Sequence, residues 1–246
     1  MSKADLSRLV DESRFIFLGT VLRQGATDTH VTVGSEKTVT VRVDDILQST
    51  DVLSRLTGSE VVVASDHAGA TSGTHLFFTN GVIYGDRVVV QEVGHREPSP
   101  EAIREVRALS KAARERPLLE RIAGADLIVT GKVVASKPTE KRSIRRSEHD
   151  PDWWIARVQV QSVLKGGKTD KEIDVLFAHS MDIAWYKSPK LEEGLSGIFI
   201  LRHVNANESP PEVGRAIYQA VDPLDFLPIE KLHDVRHAIG EEEEGR

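Results

Sequence analysis

The chain has 246 residues, with 38 acidic and 32 basic side chains and a formal net charge of −6. At about 150 residues per domain, this length predicts two domains, and the acidic balance argues against broad binding to phosphate backbones. The sequence contains no cysteine, which excludes disulfides, thiolate zinc sites, iron–sulfur clusters and cysteine nucleophiles.

The N-terminal segment lacks the apolar run of a signal peptide, and no apolar stretch is long enough to cross a membrane. We therefore expect a soluble, cytoplasmic protein without a membrane segment, while export without a signal peptide stays open. The sequence also lacks the phosphate-binding glycine loops, the Gly-x-Ser-x-Gly elbow and the His-Glu-x-x-His helix. No cofactor is predicted.

The first half of the chain has the pattern of a helix, five strands and a second helix. Leu6, Leu9 and Val10 lie at helical spacing, and Thr38–Val43 alternates apolar and polar side chains as a half-buried strand does. Ser99 provides an N-cap for the closing helix. The predicted elements are a helix at 5–13, strands at 15–23, 38–48, 60–65, 75–78 and 87–90, and a helix from 100.

The second half repeats this pattern. Phe15–Val21 recurs as Leu127–Val133, and Glu60–Val63 recurs as Glu172–Val175 at the same separation. A repeat of this length is a whole domain rather than a solenoid unit. Strands of the second copy are predicted at 127–133, 155–164, 172–178, 197–201 and 215–218.

The predicted fold is therefore mainly β with flanking helices. It consists of two tandem five-stranded barrels from an internal duplication, at residues 1–114 and 115–246. Segment 100–124 joins them, and in it we expect two helices separated at Arg114–Pro117.

One phrase of the second copy carries a family resemblance. Its second strand ends in Val160-Gln-Ser-Val-Leu-Lys-Gly166. Together with the order helix, five short strands, helix, this phrase resembles the barrels of tissue inhibitors of metalloproteinases and of netrin-type modules. The resemblance implies an OB fold, a five-stranded Greek-key barrel that hosts many functions. An N-terminal cysteine is central to inhibition in those inhibitors, so protease inhibition is not carried over to this cysteine-free chain.

A first candidate site is the glycine-rich loop 65–75. Asp66, His67 and His75 supply one carboxylate and two imidazoles, which suffice for a zinc site with one position open to water. However, the spacing matches no established ligand motif, and an ordinary surface loop has the same composition. A metal-dependent enzyme using this loop is therefore the second alternative function.

A second candidate is the basic loop 137–146, which contains Arg142, Arg145 and Arg146. OB barrels bind oligonucleotides or sugars through loops of this kind, with arginines following the phosphates. The acids that follow at 148, 150 and 152 would repel phosphates, and a charged hairpin tip is often only solvated. Binding of single-stranded nucleic acid or carbohydrate is the first alternative function.

The third candidate is the aromatic group Trp153, Trp154, Trp185 and Tyr186, all in the second copy. Neighbouring residues of a strand point to opposite faces, so at most one of Trp153 and Trp154 belongs to the core. Either Trp185 and Tyr186 cover the other ring, or an exposed aromatic patch meets a partner. The favoured interpretation is a non-catalytic binding or scaffold protein that acts through protein–protein contacts, and a protein partner is expected ahead of nucleic acid.

Overall fold

The computed structural model describes residues 3–25, 38–65, 72–84, 87–139, 151–204 and 218–240. The chain divides into two compact units, Met1–Arg116 and Pro117–Arg246. Each unit contains a closed five-stranded barrel flanked by helices, which confirms the predicted fold class. Within the described ranges, no helix is both long and apolar enough to cross a lipid bilayer.

The first unit closes its barrel in the order β1-β2-β3-β5-β4, with β4 paired back onto β1. The β3–β5 pair is parallel, and the other pairs are antiparallel. Its elements are α1 (Lys3–Glu12), β1 (Phe15–Gln24), β2 (Thr38–Gln48), a 3₁₀ turn (Asp51–Leu53), β3 (Glu60–Ala64), β4 (Thr74–Tyr84) and β5 (Arg87–Arg96).

The two faces of β1 explain how this barrel is filled and covered. Phe15 and Phe17 point into the barrel and pack with Phe77. Ile16 lies between them on the opposite face, where it packs in a cluster that includes Leu6 of α1. This alternation follows from the period of two in a strand. The helices therefore cover an apolar outer face of the barrel.

Helix α2 (Pro100–Ala123) is continuous and contains Pro117, so the expectation of two separate helices is wrong. A proline in a helix interior removes one hydrogen-bond donor. Val106 nevertheless packs in an apolar cluster of the first unit, and Ile122 packs in one of the second unit. Packing on both sides of Pro117 keeps the helix in one piece, and the boundary between the units falls at this proline.

The second unit has the same strand order, β6-β7-β8-β10-β9, and a short β9–β10 pairing closes it. The β8–β10 pair is parallel, as is the corresponding pair of the first unit. Its elements are β6 (Leu127–Pro138), β7 (Trp153–Lys165), β8 (Glu172–Ala178), β9 (Ser196–His203), β10 (Tyr218–Ala220), an edge strand β11 (Phe226–Leu227) and α3 (Leu232–Ile239), with 3₁₀ turns at Pro223–Asp225 and Ile229–Lys231.

The second barrel is also filled from one face of its strands. Val129, Val158 and Phe177 belong to the interior core. Ile128 and Ile200 point outward and pack in the cluster that contains Val235 of α3. The last barrel strand is described at Tyr218–Ala220, where it pairs with β8. Of the strand expected at 215–218, residues 215–217 lie outside the described residues.

Candidate functional site

The segment that connects β8 to β9 presents apolar side chains to solvent. Residues 179–190 are here called the 179–190 loop. Met181 is 83% exposed, Ile183 is 82% exposed and Tyr186 is 49% exposed. Large apolar side chains of this exposure in one short segment indicate an interaction surface when the segment holds a defined shape.

A single helical turn gives the tip of this loop its shape. The backbone N–H groups of Trp185 and Tyr186 both donate to the carbonyl oxygen of Asp182, each at 2.8 Å. The Asp182 carboxylate accepts from the N–H of Ala184 at 2.9 Å, as an N-cap residue does. Ser180 Oγ in turn accepts from the N–H of Asp182 at 3.2 Å. The turn fixes the backbone between Met181 and Tyr186.

Lys190 ties the two ends of the loop together. Its Nζ donates to the carbonyl oxygens of Ala178 at 2.9 Å, Trp185 at 2.9 Å and Ser188 at 3.1 Å. A lysine ammonium has three donors, and all three are used here. Partial burial lowers the pKa of Lys190 below its ordinary value. This side chain therefore acts as a structural clamp and is not available to a ligand.

Two further contacts attach the loop to the barrel. The hydroxyl of Ser188 donates to the carbonyl oxygen of Val221 at 2.7 Å. The N–H of His179 donates to the carbonyl oxygen of Asp152 at 2.8 Å. The loop is thus held at its start, its middle and its end.

The two adjacent tryptophans lie on opposite faces of β7. Trp154 stacks on His179, with ring centroids 4.3 Å apart, and packs against the interior core. Trp153 meets Trp185 edge to face at 5.6 Å, outside the barrel. Trp185 therefore half-covers Trp153, whereas Tyr186 projects to solvent. Of the four predicted aromatic residues, Trp185 and Tyr186 belong to the 179–190 loop. Trp153 contacts the loop through Trp185, and Trp154 packs against the core of the barrel.

The predicted basic and metal sites fall mostly outside the described residues. Arg142, Arg145 and Arg146 lie there, as do Asp66 and His67. His75 is described, and its Nε2 is bonded to the carbonyl oxygen of Ser72 at 2.7 Å. In the part of the chain that the structure describes, no three histidine, aspartate or glutamate side chains are arranged to hold a metal ion.

The outer face of β7 and β8 carries charges that are already paired. Arg157 binds the Asp174 carboxylate through two hydrogen bonds, at 3.0 and 3.3 Å, and its Nε lies 4.0 Å from Glu172. The hydrogen bond to Asp174 raises the pKa of Arg157. A groove of about 540 Å³ beside this pair is lined by Lys168, Asp170 and other residues. Two carboxylates around the one arginine make this face a poor site for phosphate.

The sequence predicts a binding role for Trp185 and Tyr186 of this loop. It predicts none for Met181, Ile183 or Lys190. A weak signal existed, because Met181 and Ile183 are apolar residues in a segment bounded by Ser180 and Ser188, where polar residues are usual. The role of Lys190 has no local signal, since its three acceptors meet only when the loop closes.

Comparisons with known proteins give little further information. No protein-family model matches the chain, and no curated protein matches it. Among solved structures, it is similar to the wild-type single-stranded DNA binding protein from Thermus aquaticus at 11% sequence identity and a TM-score of 0.18. The match covers 85% of this chain and 87% of that chain. A TM-score of this size does not establish a common fold, so the OB-like architecture rests on the strand order and pairings described above.

Proposed function

We propose that the chain is a non-catalytic binding protein whose 179–190 loop docks into an apolar pocket of a protein partner. The observation that supports this most is the exposure of Met181 and Ile183 on a loop that is held in one shape. Flexible tails also expose apolar residues, but they lose conformational entropy when they bind. A loop that Lys190 and Asp182 already order loses less conformational entropy, so its binding costs less free energy.

The apolar residues are large enough to supply a binding free energy. Full burial of a methionine or isoleucine side chain contributes about 1.5–3 kcal/mol. Interface hot spots are rich in tyrosine and tryptophan, and interfaces as a whole are rich in methionine. Tyr186 adds an aromatic ring with a polar end, and its neighbour Trp185 packs edge to face against Trp153. This composition suits an apolar protein pocket with a polar rim.

The first alternative is binding of single-stranded nucleic acid or carbohydrate by the second barrel, through Arg142, Arg145 and Arg146. The lysine side chains described on the 179–190 loop do not favour this alternative. Lys190 donates to three carbonyl oxygens, and Lys187 lies over the ring of its neighbour Tyr186, 5.6 Å from the centroid. The second alternative, a metal-dependent enzyme, depends on Asp66 and His67, which are outside the described residues.

Three expectations about the whole chain also stay proposals. These are a duplication that produced domains at 1–114 and 115–246, kinship with tissue inhibitors of metalloproteinases and netrin-type modules, and a cytoplasmic location. The shared strand order supports the first of them.

The test compares three versions of the full chain as bait: wild type, the double variant Met181→Ser/Ile183→Ser, and the control Val52→Ser. Val52 is 70% exposed in the first unit, so its replacement removes a similar exposed apolar group elsewhere. Captured proteins are identified by mass spectrometry, and the affinity for each purified candidate is measured by calorimetry. Removal of two apolar side chains is expected to lower the affinity for a true partner about 100-fold, which corresponds to about 3 kcal/mol of binding free energy.

The unfolding midpoint of the double variant should equal that of wild type, because both side chains are more than four-fifths exposed. Equal affinity of all three versions for every purified candidate would contradict the proposal. Binding of oligonucleotides, with no protein affected by the double variant, would favour the first alternative.

A further inference from the structure

A polar cluster lies inside the barrel of the first unit, next to the aromatic core. Here called the His–Glu cluster, it consists of His75 on β4 and of Glu92 and His95 on β5. His95 pairs with Phe77, and the rings of His75 and His95 meet edge to face at 5.2 Å. Both imidazoles also contact the ring of Phe77, at 5.9 and 6.3 Å between centroids, and Phe77 is fully buried. The cluster therefore rests on an apolar floor.

The carboxylate of this cluster is almost completely withdrawn from water. The Glu92 side chain is 6% exposed, and its Oε1 lies 2.6 Å from Nδ1 of His95, which is 27% exposed. A carboxylate buried to this extent is costly unless a positive charge or several donors compensate it. Nδ1 of His95 donates one hydrogen bond to Oε1, because a carboxylate oxygen accepts. Oε2, the second oxygen of this carboxylate, has no hydrogen-bond partner among the described residues.

Two buried acceptors of the cluster have no donor among the described residues. Nε2 of His75 lies 2.7 Å from the carbonyl oxygen of Ser72, and because a carbonyl only accepts, Nε2 carries the proton. In this tautomer the other ring nitrogen, Nδ1, presents a lone pair. Nδ1 of His75 and Oε2 of Glu92 are both buried, and in the part of the chain that the structure describes neither has a hydrogen-bond partner. Buried polar atoms nearly always have partners, so two such acceptors in one cluster point to a missing donor.

We propose that the His–Glu cluster is a binding site for a compact nitrogen cation, an ammonium or guanidinium group, that donates to Glu92 Oε2 and His75 Nδ1. The charge of the ligand offsets that of the buried carboxylate, and its N–H groups supply the missing donors. The ring of Phe77 adds a face that suits cations. A metal ion fits less well, because no three such ligands converge among the described residues. This inference concerns the first unit and is independent of the proposed docking loop.

The test is a titration of the full chain with methylammonium chloride and with guanidinium chloride at constant chloride concentration. The imidazole Cε1–H signals of His75 and His95 are followed by NMR. We expect both signals to move together and to saturate, with dissociation constants of about a millimolar, as befits ligands of so few atoms. Sodium chloride over the same range should leave both signals in place.

Glu92→Gln is expected to abolish the saturable shift, because it removes the negative charge and replaces an acceptor by a donor. Its stability should not fall, since it removes a buried charge. Glu97→Gln is the matched control, an exposed carboxylate just beyond β5, and should bind as wild type does. His75→Phe keeps an aromatic ring but removes Nδ1. It should raise the dissociation constant about tenfold, because one hydrogen bond to the ligand is lost.

Three results would overturn the proposal. The first is no saturable shift with either cation, which would leave an ordered water as the donor. The second is equal binding by wild type and Glu92→Gln. The third is saturation of both histidine signals by zinc chloride at micromolar concentration with no response to the nitrogen cations, which would make the cluster a metal site.

Discussion

At the residue scale, Lys190 shows how one side chain shapes a surface without belonging to it. Its ammonium joins carbonyl oxygens from Ala178, Trp185 and Ser188, residues that are apart in the sequence. The carbonyl oxygen of Trp185 also accepts from the backbone N–H of Ser188, at 2.9 Å. The exposed residues Met181 and Ile183 lie between Ala178 and Trp185, two of the residues that this ammonium joins. Loss of Lys190 should therefore affect both stability and recognition.

Lys190→Met should lower the free energy of unfolding by about 1–3 kcal/mol, because its ammonium no longer donates to three carbonyl oxygens. Lys187→Met is the matched control on the same loop. Its ammonium lies over the exposed Tyr186 ring, so the expected change is within about 0.5 kcal/mol. Both changes are measured by urea denaturation near neutral pH. Equal losses in the two variants would show that the clamp does not stabilise the fold.

The pH dependence of this effect has a definite sign. Burial lowers the pKa of Lys190 in the folded chain below the ordinary 10.5. The unfolded chain therefore holds the proton more tightly in the interval between the two values, and stability from this group rises with pH there. Wild type should gain stability relative to Lys190→Met as pH rises toward 10.5. A loss in that interval would contradict the direction of the shift.

At the element scale, the first strand of each barrel crosses its neighbour at a glycine. Gly19 lies at a register irregularity between β1 and β2, and Gly131 lies at the corresponding irregularity between β6 and β7. A Cβ atom on Gly131 would lie 2.7 Å from the carbonyl oxygen of Gln159 and 2.8 Å from Val158 Cγ1. A Cβ on Gly19 would lie 2.5 Å from Val41 Cγ1. Both strands bend too closely over their neighbours to admit a side chain.

Gly131→Ala should therefore lower the free energy of unfolding by about 1–3 kcal/mol, the usual cost of forcing extra atoms into a packed site. Gly167→Ala is the control, because an added Cβ at Gly167 has no atom within 4 Å and should change stability by less than about 0.5 kcal/mol. Thermal or urea denaturation of both variants measures the difference. If Gly131→Ala proves as stable as Gly167→Ala, close strand packing is not the reason for the glycine.

The same elements show what the sequence can predict. The apolar segments of each half, together with the repeat that matches Gly19 with Gly131, predict five barrel strands per unit, and the structure confirms this number. Strand ends were less accurate: β4 extends to Tyr84 rather than ending at 78, because it pairs along most of β5. Pro117 predicted a break in α2, but packing on either side of it prevails. Local pattern determines which residues form strands, while partner strands determine their length.

The candidate site was harder to predict for a related reason. Aromatic residues such as Trp185 stand out in a sequence, whereas Met181 and Ile183 become informative only when their exposure is known. Glu92 and His95 lie beyond the strand predicted at 87–90. A register irregularity between Phe78 and Thr79 also helps decide which side of β5 faces inward. Side-chain direction after such an irregularity cannot be counted from the sequence alone.

At the scale of the whole molecule, the charge distribution separates protein binding from nucleic-acid binding. The chain has a net charge of −6. On the described outer face of β7 and β8, Arg157 is paired with Asp174 and lies near Glu172. Phosphate contacts release counterions, so binding driven by arginines weakens steeply as salt rises. The candidate source of such binding is the run that contains Arg142, Arg145 and Arg146, which lies outside the described residues.

We expect no measurable binding of single-stranded oligonucleotides near physiological ionic strength, because the net charge of −6 and the acids beside the basic run repel phosphates. Fluorescence anisotropy with a labelled oligonucleotide over a range of salt concentrations measures this, and Arg145→Gln/Arg146→Gln is the matched variant. A weak signal at low salt that disappears in both proteins as salt rises would agree with nonspecific attraction. Micromolar affinity near physiological salt, with a salt slope that falls by about two in the variant, would place nucleic acid ahead of a protein partner.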